Sequence, residues 1–454
     1  MARNIVIFAD GTGQRGGVLF DECRSNIYKL YRATRTAPDS SIDPAEQLAF
    51  YDPGIGTLPK GIGMLGAIWQ WLYNLVSQAT GLGLTGNIID GYTAIIRNAV
   101  PGDRIYLIGF SRGAYTARCL AAVLAHCGIP TRMKDGSPLR RDEDSARAMA
   151  TEAVTKVYQH VSSEKDSAYL AQRNALAARF RAHHGSGDAA GPNAYPYFIG
   201  VFDTVAALSN TGSLIVSGLL GSALLFTLSA IGGTLGYGFW TSALAILSVS
   251  GLIGLGFYLR SHVKVAFGLP GIPWWKTVHL TSFRMKFYDT QLNPNVGYAR
   301  HALSIDEWRK DFDRVPWGQP RIWRDTGDGN PGWFKQIWFA GNHSDVGGSY
   351  PDSESRLSDI SLAWMAHEAE KLPDGLKIDR SVLRLYPDPL GMQHDEMRSL
   401  AFRFAATITR EVNPKARLHD SVYERLKASQ VLQYDLDLPY RPEGLRQHEQ
   451  AGPF

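Results

Sequence analysis

Short apolar runs alternate with longer segments of helical periodicity along much of the chain. Runs rich in β-branched and aromatic residues that stop at glycine or aspartate predict buried strands, here at residues 5–9, 104–108, 197–202 and 336–340. Apolar side chains spaced three and four residues apart predict helices at 87–100, 114–127 and 357–372. Because strands and helices alternate, we expect an α/β fold with a mostly parallel sheet and helices on both faces.

Two insertions interrupt this pattern, and the first is polar. Residues 131–192 are dense in Arg, Lys, Asp, Glu and Ala, which predicts a solvated helical insertion. It ends in the glycine-containing segment 183–193, which we interpret as a flexible linker. The paired His183 and His184 are then expected to be exposed linker residues and not ligands.

The second insertion is an apolar stretch, 204–259, that contains no charged residue. Within it, residues 213–232 and 236–259 are 20 and 24 residues long. A helix needs about 20 residues to cross a bilayer core. Arg260, His262 and Lys264 follow at once, as expected for a cytoplasmic flank. We expect a transmembrane hairpin, with a buried core hairpin or an apolar lid as the alternatives.

These patterns predict one α/β domain that is divided by insertions. Its parts are 1–130, 193–208 and 263–454, separated by the helical insertion and linker at 131–192 and the apolar hairpin at 209–262. The uncharged segment 61–84 contains glycines and amide side chains, so we interpret it as amphipathic or substrate-lining and not as a third span.

Composition and charge exclude several classes of function. The formal charge of +4 is small for 454 residues and the basic residues are scattered, so we expect no nucleic-acid surface. Cys23, Cys119 and Cys127 form no close pair, which excludes a disulfide framework and a zinc site. No nucleotide motif or cofactor fingerprint occurs, so we expect no cofactor. The apolar run at the N-terminus is too short for a secretory signal peptide.

The strongest local motif is GFSRG at residues 109–113, between a predicted strand and a predicted helix. A sharp strand-to-helix turn leaves no room for side chains at Gly109 and Gly113, and it exposes the hydroxyl of the central serine. The motif therefore predicts that Ser111 is the nucleophile of a serine hydrolase.

A serine nucleophile needs a base and an acid, which follow it in the chain order serine, acid, histidine. His343 lies just past a predicted strand and is the expected base, with His301 as a competitor. Asp203 ends a predicted strand at the carboxyl edge of the sheet and is the expected acid. Asp306 and Asp345 are the alternatives.

Acyl transfer also needs donors for the tetrahedral oxyanion. The backbone N–H of Arg112 is one expected donor, and the loop after the first strand offers a second at Gly11 or Thr12. Asp10 is expected to cap this loop.

Motifs along nearly the whole chain, in order, resemble a known family. They are FADGTG, FYDPGIGT, TGLGLTGNIIDGY, GFSRGAYTAR, GVFDTV, ARHALSIDE, NHSDVGG, LSDISLAWM and HDSVYERL. The family is the α/β-hydrolase domain of the type VI secretion phospholipase effectors of the Tle class. The apolar hairpin departs from its pattern.

The resemblance implies phospholipid ester hydrolysis through Ser111, Asp203 and His343. It also implies a phospholipid membrane as substrate surface and an immunity protein or a secretion-spike protein as partner. With the hairpin, it predicts either a bacterial inner-membrane enzyme with a cytoplasmic catalytic domain or a secreted effector that acts on target-cell membranes. A soluble esterase with an apolar lid and a non-catalytic membrane adaptor are the competing hypotheses.

Overall fold

The computed structural model describes residues 2–11, 23–54, 82–205, 211–281, 291–317, 332–399, 402 and 406–452. Residues 61–81 of the segment predicted to be amphipathic or substrate-lining lie outside this range, and its last residues begin a helix.

A six-stranded sheet forms the centre of the molecule. Its strands are β1 (Asn4–Ala9), β2 (Gln47–Asp52), β3 (Arg104–Phe110), β4 (Pro196–Phe202), β5 (Tyr298–Ser304) and β6 (Phe334–Phe339). They are ordered β2-β1-β3-β4-β5-β6, and every neighbouring pair is parallel. The predicted parallel α/β sheet is therefore confirmed.

Ten α-helices and several short elements surround the sheet within the described residues. The α-helices are α1 (Asn26–Thr34), α2 (Leu82–Asn98), α3 (Arg112–Cys127), α4 (Glu143–Thr151), α5 (Leu170–His184), α6 (Thr211–Thr234), α7 (Phe239–His262), α8 (His343–Gly347), α9 (Arg356–Glu370) and α10 (Asp420–Lys427). A π-helical turn lies at Glu152–Val157, and 3₁₀ turns lie at Tyr158–His160, Glu164–Tyr169, Trp274–Lys276, Lys310–Phe312, Glu396–Arg398 and Glu443–Leu445. Two small antiparallel pairs join Val263–Lys264 to His279–Leu280 and Val431–Gln433 to Leu436–Leu438.

Side chains of each central strand point alternately to two apolar cores, one on each face of the sheet. In β1, Ile5 and Ile7 join the core formed with α2 and α3, whereas Val6 and Phe8 join the core formed with α1 and α9. Helices thus cover both faces, as the continuous apolar runs of the strands predicted.

Strands β2 and β5 were not predicted, for different physical reasons. The edge strand β2 is only partly buried along most of its length. The buried strand β5 contains Arg300 and His301, which break its apolar pattern. Arg300 is accommodated there because its Nε donates to Glu368 at 2.5 Å.

The charged segment 131–192 packs more closely onto the domain than predicted. Met149 of α4 and Phe180 of α5 are buried in the core that contains α2 and α3, so only the outer face of this segment is solvated. Its expected linker is also tied down, because the Ser186 hydroxyl donates to the Cys127 carbonyl. The expectation that His184 is an exposed linker residue is wrong, since this side chain is buried at the end of α5.

Helices α6 and α7 form the predicted apolar hairpin, and most of their described large apolar side chains are exposed. Trp240 is 82% exposed and Leu252 is 70% exposed. Within the described chain, Phe239–Arg260 is the one helix long and apolar enough to cross a membrane, and none of its apolar window is buried. A shorter apolar helix covers Gly221–Thr234. The alternative of a buried core hairpin is therefore wrong.

Candidate active site

The candidate site lies at the carboxyl edge of the sheet, where the strand order reverses. Strands β2 and β3 flank β1, so the connections after β1 and β3 run in opposite directions and leave a crevice between them. Ser111 follows β3, and Gly11 follows β1. A Cβ on Gly11 would lie 3.4 Å from the Ser111 Cβ, which brings the two predicted site residues together.

Ser111 occupies a sharp turn between β3 and α3. Its φ of 58° and ψ of −122° are rarely adopted by a non-glycine residue. A Cβ on Gly113 would lie 2.0 Å from the Ala9 carbonyl oxygen, and one on Gly109 would lie 2.4 Å from the Gly113 carbonyl oxygen. Both positions therefore require glycine, as the motif predicted. The turn is fixed further by the Ser111 N–H, which donates to Phe202 at 3.1 Å.

His343 is the first residue of α8, directly after β6. Asn342 caps this helix through a capping box with Asp345, which fixes where the helix begins. The His343 backbone N–H donates to Glu307 Oε2 at 3.2 Å. Its ring lies beside Phe110 and Phe312, with centroid distances of 4.6 and 5.1 Å. The imidazole is thus held next to the strand that leads into Ser111.

Asp203 follows β4 and contacts the His343 imidazole. His343 Nδ1 donates to Asp203 Oδ2 at 2.5 Å, and the Asp203 side chain is fully buried. His343 Nε2 is buried and has no hydrogen-bond partner among the described residues. With Nδ1 as the donor, the lone pair of Nε2 is free to accept a proton.

The two alternative acids, both of them described, have other partners. Asp306 accepts from the Gly341 N–H at 2.7 Å and the Tyr440 hydroxyl at 2.8 Å. Asp345 accepts from His394 Nδ1 at 2.7 Å. Asp203 is therefore the one of the three acids that is hydrogen-bonded to His343.

The alternative base, His301, lies inside the sheet. Its Nδ1 is 3.2 Å from Gln336 Oε1, and its ring packs against Trp317. Burial lowers the pKa of His301 to about 3, so it stays neutral at physiological pH. None of its hydrogen bonds involves a predicted acid.

Arg410 is a site residue that the sequence reasoning missed. Its guanidinium clamps Asp203, with Nη1 to Oδ1 at 2.5 Å and Nη2 to Oδ2 at 3.1 Å. Burial by itself would raise the pKa of Asp203, but Arg410 and His343 outweigh it and hold that pKa well below its usual range. Arg410 has no local motif and lies 207 residues away in the chain, so no spacing pattern points to it.

Asp10 caps the backbone directly after β1, at Gly11, in agreement with its expected capping role. It accepts hydrogen bonds from the Gly11 N–H at 2.7 Å, the Tyr51 hydroxyl at 2.7 Å and the Ser25 hydroxyl. Burial raises the pKa of Asp10 to about 6. The Gly11 N–H, an expected oxyanion donor, is thus already bonded, and Thr12 lies outside the described residues.

Arg112 follows Ser111 as the first residue of α3. Its side chain is half-buried, and its guanidinium has no hydrogen bond or ion pair with any described residue. Burial lowers the pKa of Arg112 to about 10. A partly desolvated cation without a counter-charge favours an anionic ligand beside the candidate nucleophile. Among the described residues, no group of three or more His, Cys, Asp and Glu is placed to hold a metal ion.

One protein-family model matches most of the chain. It describes the catalytic domain of a Tle1-like phospholipase effector of the type VI secretion system, and it matches residues 3–229 and 264–368. The gap between these segments contains all of α7, so the second hairpin helix is a departure from the family pattern.

Individual relatives match less of the chain or match it weakly. An uncharacterized protein of Saccharomyces cerevisiae, YEL023C, is 33% identical over 132 residues, which are 28% of this chain and 18% of the relative. A crystal structure of an uncharacterized protein from Pseudomonas aeruginosa is 18% identical with a TM-score of 0.37, over 85% of this chain and 48% of that chain. The Tle1 effector bound to the VgrG spike is 18% identical with a TM-score of 0.29, over 78% of this chain and 53% of that chain. The chain therefore spans about half the length of either solved structure.

We predict that Arg410→Gln destabilises the protein by about 3–5 kcal/mol at neutral pH, because it leaves the buried Asp203 carboxylate without its cation. The folded-state pKa of Asp203 then rises. In the wild type its contribution to stability is fully present above the unfolded pKa of about 4 and declines as the pH falls below that value. In the variant the carboxylate contributes less stability at every pH above it. Thermal melting in detergent between pH 3 and 8 measures this, and we expect the gap between variant and wild type to narrow in acid.

The double variant Arg410→Gln with Asp203→Asn is the control for this prediction. It removes both charges, so it should melt at a higher temperature than Arg410→Gln at neutral pH. A double variant that melts lower than the single one would contradict the proposed electrostatic role of Arg410.

Proposed function

Because the chain belongs to the Tle1-like catalytic-domain family of type VI secretion phospholipase effectors, we propose that it is a membrane-associated serine hydrolase of α/β-hydrolase type that cleaves phospholipid esters. The observation that carries the chemistry is the hydrogen bond between Asp203 and His343 Nδ1, which leaves a buried and unpartnered Nε2. The proposed nucleophile, Ser111, is at the strained turn that follows Phe110, whose ring packs against the His343 imidazole.

The proposed reaction is acyl transfer through a covalent intermediate. Ser111 Oγ attacks the ester carbonyl carbon while His343 Nε2 takes the hydroxyl proton, and Asp203 stabilises the resulting imidazolium. The tetrahedral intermediate collapses, and His343 returns the proton to the leaving alcohol of the lysolipid. Water, deprotonated by His343, then attacks the acyl-enzyme and releases the fatty acid.

The oxyanion is proposed to form at the start of α3. The Arg112 N–H is in the first turn of this helix and so has no intrahelical acceptor. The helix dipole adds to the stabilisation of negative charge at this point. Gly11 is the second proposed donor, and its N–H becomes available only when its bond to Asp10 opens on substrate binding.

A phosphate ester is favoured over a neutral lipid by the Arg112 side chain. Arg112 is adjacent to Ser111, and its half-buried guanidinium has no carboxylate partner among the described residues. The phosphodiester of a glycerophospholipid lies only a few bonds from its ester carbonyls. A phospholipid bound for attack by Ser111 would therefore supply the missing counter-charge.

The hairpin is proposed to insert into the bilayer. Helix α7 has 24 residues, and at 1.5 Å per residue such a helix spans about 36 Å, enough for a hydrocarbon core of about 30 Å. Exposed apolar side chains are spread along the described parts of α6 and α7, which disfavours a lid that closes over the site in water. The hairpin leaves the domain just after Asp203, so insertion would bring the site to the membrane surface.

The remaining assignments follow from this proposal. Segments 1–130, 193–208 and 263–454 form the hydrolase domain, and 209–262 is its membrane hairpin. The catalytic domain lies on the cytoplasmic side of the inner membrane, or the protein acts as an effector on a target-cell membrane. A secretion spike and an immunity protein are proposed partners through family membership alone.

We predict that Ser111→Ala and His343→Ala each lower phospholipid hydrolysis by about 10³-fold or more, and that Asp203→Asn does so to a comparable degree. The measurement is fatty-acid release from phospholipid vesicles by detergent-purified protein. Asp306→Asn is the matched control, because this buried aspartate is bonded to Gly341 and Tyr440 instead of to His343. Hydrolysis that survives Ser111→Ala would contradict the serine mechanism, and no hydrolysis by the wild type would favour the non-catalytic membrane adaptor.

A second prediction concerns the head group. Arg112→Gln should lower kcat/KM for a phospholipid by about 10- to 100-fold, because a charge-assisted bond to phosphate is lost. It should lower kcat/KM for a neutral diacylglycerol with the same acyl chains much less. Equal losses on the two substrates would contradict a role of the guanidinium in phosphate recognition.

A third prediction concerns the hairpin. Leu252→Arg should weaken vesicle binding, since an arginine near the centre of a span costs about 2.5–3.5 kcal/mol on insertion scales. Flotation with lipid vesicles measures this. Leu390→Arg is the control, because Leu390 is also an exposed leucine but lies outside the hairpin. Equal flotation of Leu252→Arg and wild type would show that the hairpin does not insert.

A further inference from the structure

A second cavity, apart from the candidate active site, lies between α1, the start of α9 and residues 382–386. Its volume is about 480 Å³. Five basic side chains line it, and they are Arg24, Lys29, Arg32, Arg356 and Arg384. Two carboxylates, those of Asp352 and Asp359, also line the cavity, so its lining carries a formal charge of +3. This excess of positive charge is local, because the whole chain carries only +4.

The two carboxylates are already engaged, mainly with one lysine. Asp359 is buried and accepts from Lys29 Nζ at 3.1 Å and from the Tyr386 N–H at 2.9 Å. Asp352 is 3.4 Å from Lys29 Nζ and 3.8 Å from Arg24 Nη1. Neither acid forms an ion pair with the three other arginines of the cavity.

The arginines retain donors that the described part of the protein does not satisfy. The Nε atoms of Arg24 and Arg32 are buried and have no hydrogen-bond partner among the described residues. Arg32 makes no ion pair with a described residue. Arg356 donates to the Tyr386 carbonyl and Arg384 to the Ser381 carbonyl, so each binds only a neutral acceptor. Arg24, Arg32 and Arg356 are only partly buried and Arg384 is exposed. The two buried Nε donors nevertheless lack an acceptor, which an anion in the cavity would supply.

The start of α9 adds to the positive potential of the cavity. This helix has 15 residues, and its cap residue Ser355 makes no side-chain bond to the first turn. The Ser355 hydroxyl donates instead to the Pro351 carbonyl at 3.0 Å. Ser353 and Arg356, on either side of the cap, both line the cavity. Uncapped N–H groups at a helix N-terminus favour anions, and phosphate above all.

We propose that this cavity binds a phosphate group that carries two negative charges. A dianion would offset most of the +3 charge and supply acceptors for the unpartnered arginine donors. Two sources share this chemistry: a soluble phosphomonoester and the head group of a phosphomonoester lipid. The proposal does not depend on the proposed hydrolase activity, since none of the lining residues belongs to the proposed triad.

The test is thermal melting of the full chain in detergent with inorganic phosphate, at an ionic strength kept constant with sodium chloride. The wild type should gain on the order of 2 °C at a tenfold excess over Kd, and the gain should keep rising with the logarithm of the phosphate concentration above Kd. The double variant Arg24→Gln with Arg32→Gln should lose this gain. Arg446→Gln, which removes an exposed arginine outside the cavity, should keep it.

An equal gain in the double variant, or no gain in the wild type, would overturn the proposal. Melting without phosphate shows whether the double variant is folded. Isothermal titration calorimetry with phosphate measures the affinity independently, and Arg32→Lys should bind phosphate more weakly than the wild type. A soluble phosphomonoester and a lipid head group are distinguished by titration with glycerol 3-phosphate and with dihexanoyl phosphatidic acid. The Ser111→Ala protein is used so that the lipid is not hydrolysed. Tenfold tighter binding of the lipid supports a head group, and equal binding supports a soluble ligand.

Discussion

The arrangement of the candidate site depends on one fully buried carboxylate. Asp203 is removed from water, so it persists as an anion only because Arg410 and His343 both bind it. These three residues come from β4, α8 and the C-terminal segment, which the carboxylate therefore ties together. Arg410 also donates to the Ser304 hydroxyl at 2.7 Å and to the Phe312 carbonyl at 2.6 Å. The residues after 368, beyond the matched family segments, are thus structural parts of this site.

A second constraint is the close approach of the loops after β1 and β3. The strand order reverses there, so backbone from two connections meets at one point. Gly113 touches the end of β1, and only a residue without Cβ fits. The strain at Ser111 is tolerated because the sheet and α3 fix both sides of the turn. Asp10 accepts from the Gly11 N–H, and Gly11 lies against the proposed nucleophile.

Much of this arrangement was predictable, because the local patterns have local physical causes. Mostly apolar runs predicted four of the six strands, and the glycines of the elbow predicted its turn. The chain order of acid and histidine pointed to Asp203 and His343, which are hydrogen-bonded at the carboxyl edge, while the role of Ser111 stays a prediction. Strand β5 was missed because Arg300 interrupts its apolar pattern, and its neutralisation by Glu368 is a tertiary contact. The clamp by Arg410 and the competition among Asp203, Asp306 and Asp345 also depend on contacts between distant segments, which no single sequence pattern encodes.

The proposed membrane role and the proposed chemistry constrain each other. Both ends of the hairpin are joined to the catalytic domain, at Asp203 through a short connection and at Val263 through the small strand pair. Helices with apolar side chains on every face are stable in water only when something covers them, and lipid is the cover that needs no partner protein. If the hairpin inserts, the site is held at the bilayer surface and the ester has little water to cross. An enzyme bound in this way meets its substrate at a high effective concentration, so it does not need to bind the ground-state lipid tightly at Ser111. The binding energy of the site can then be used to stabilise the transition state.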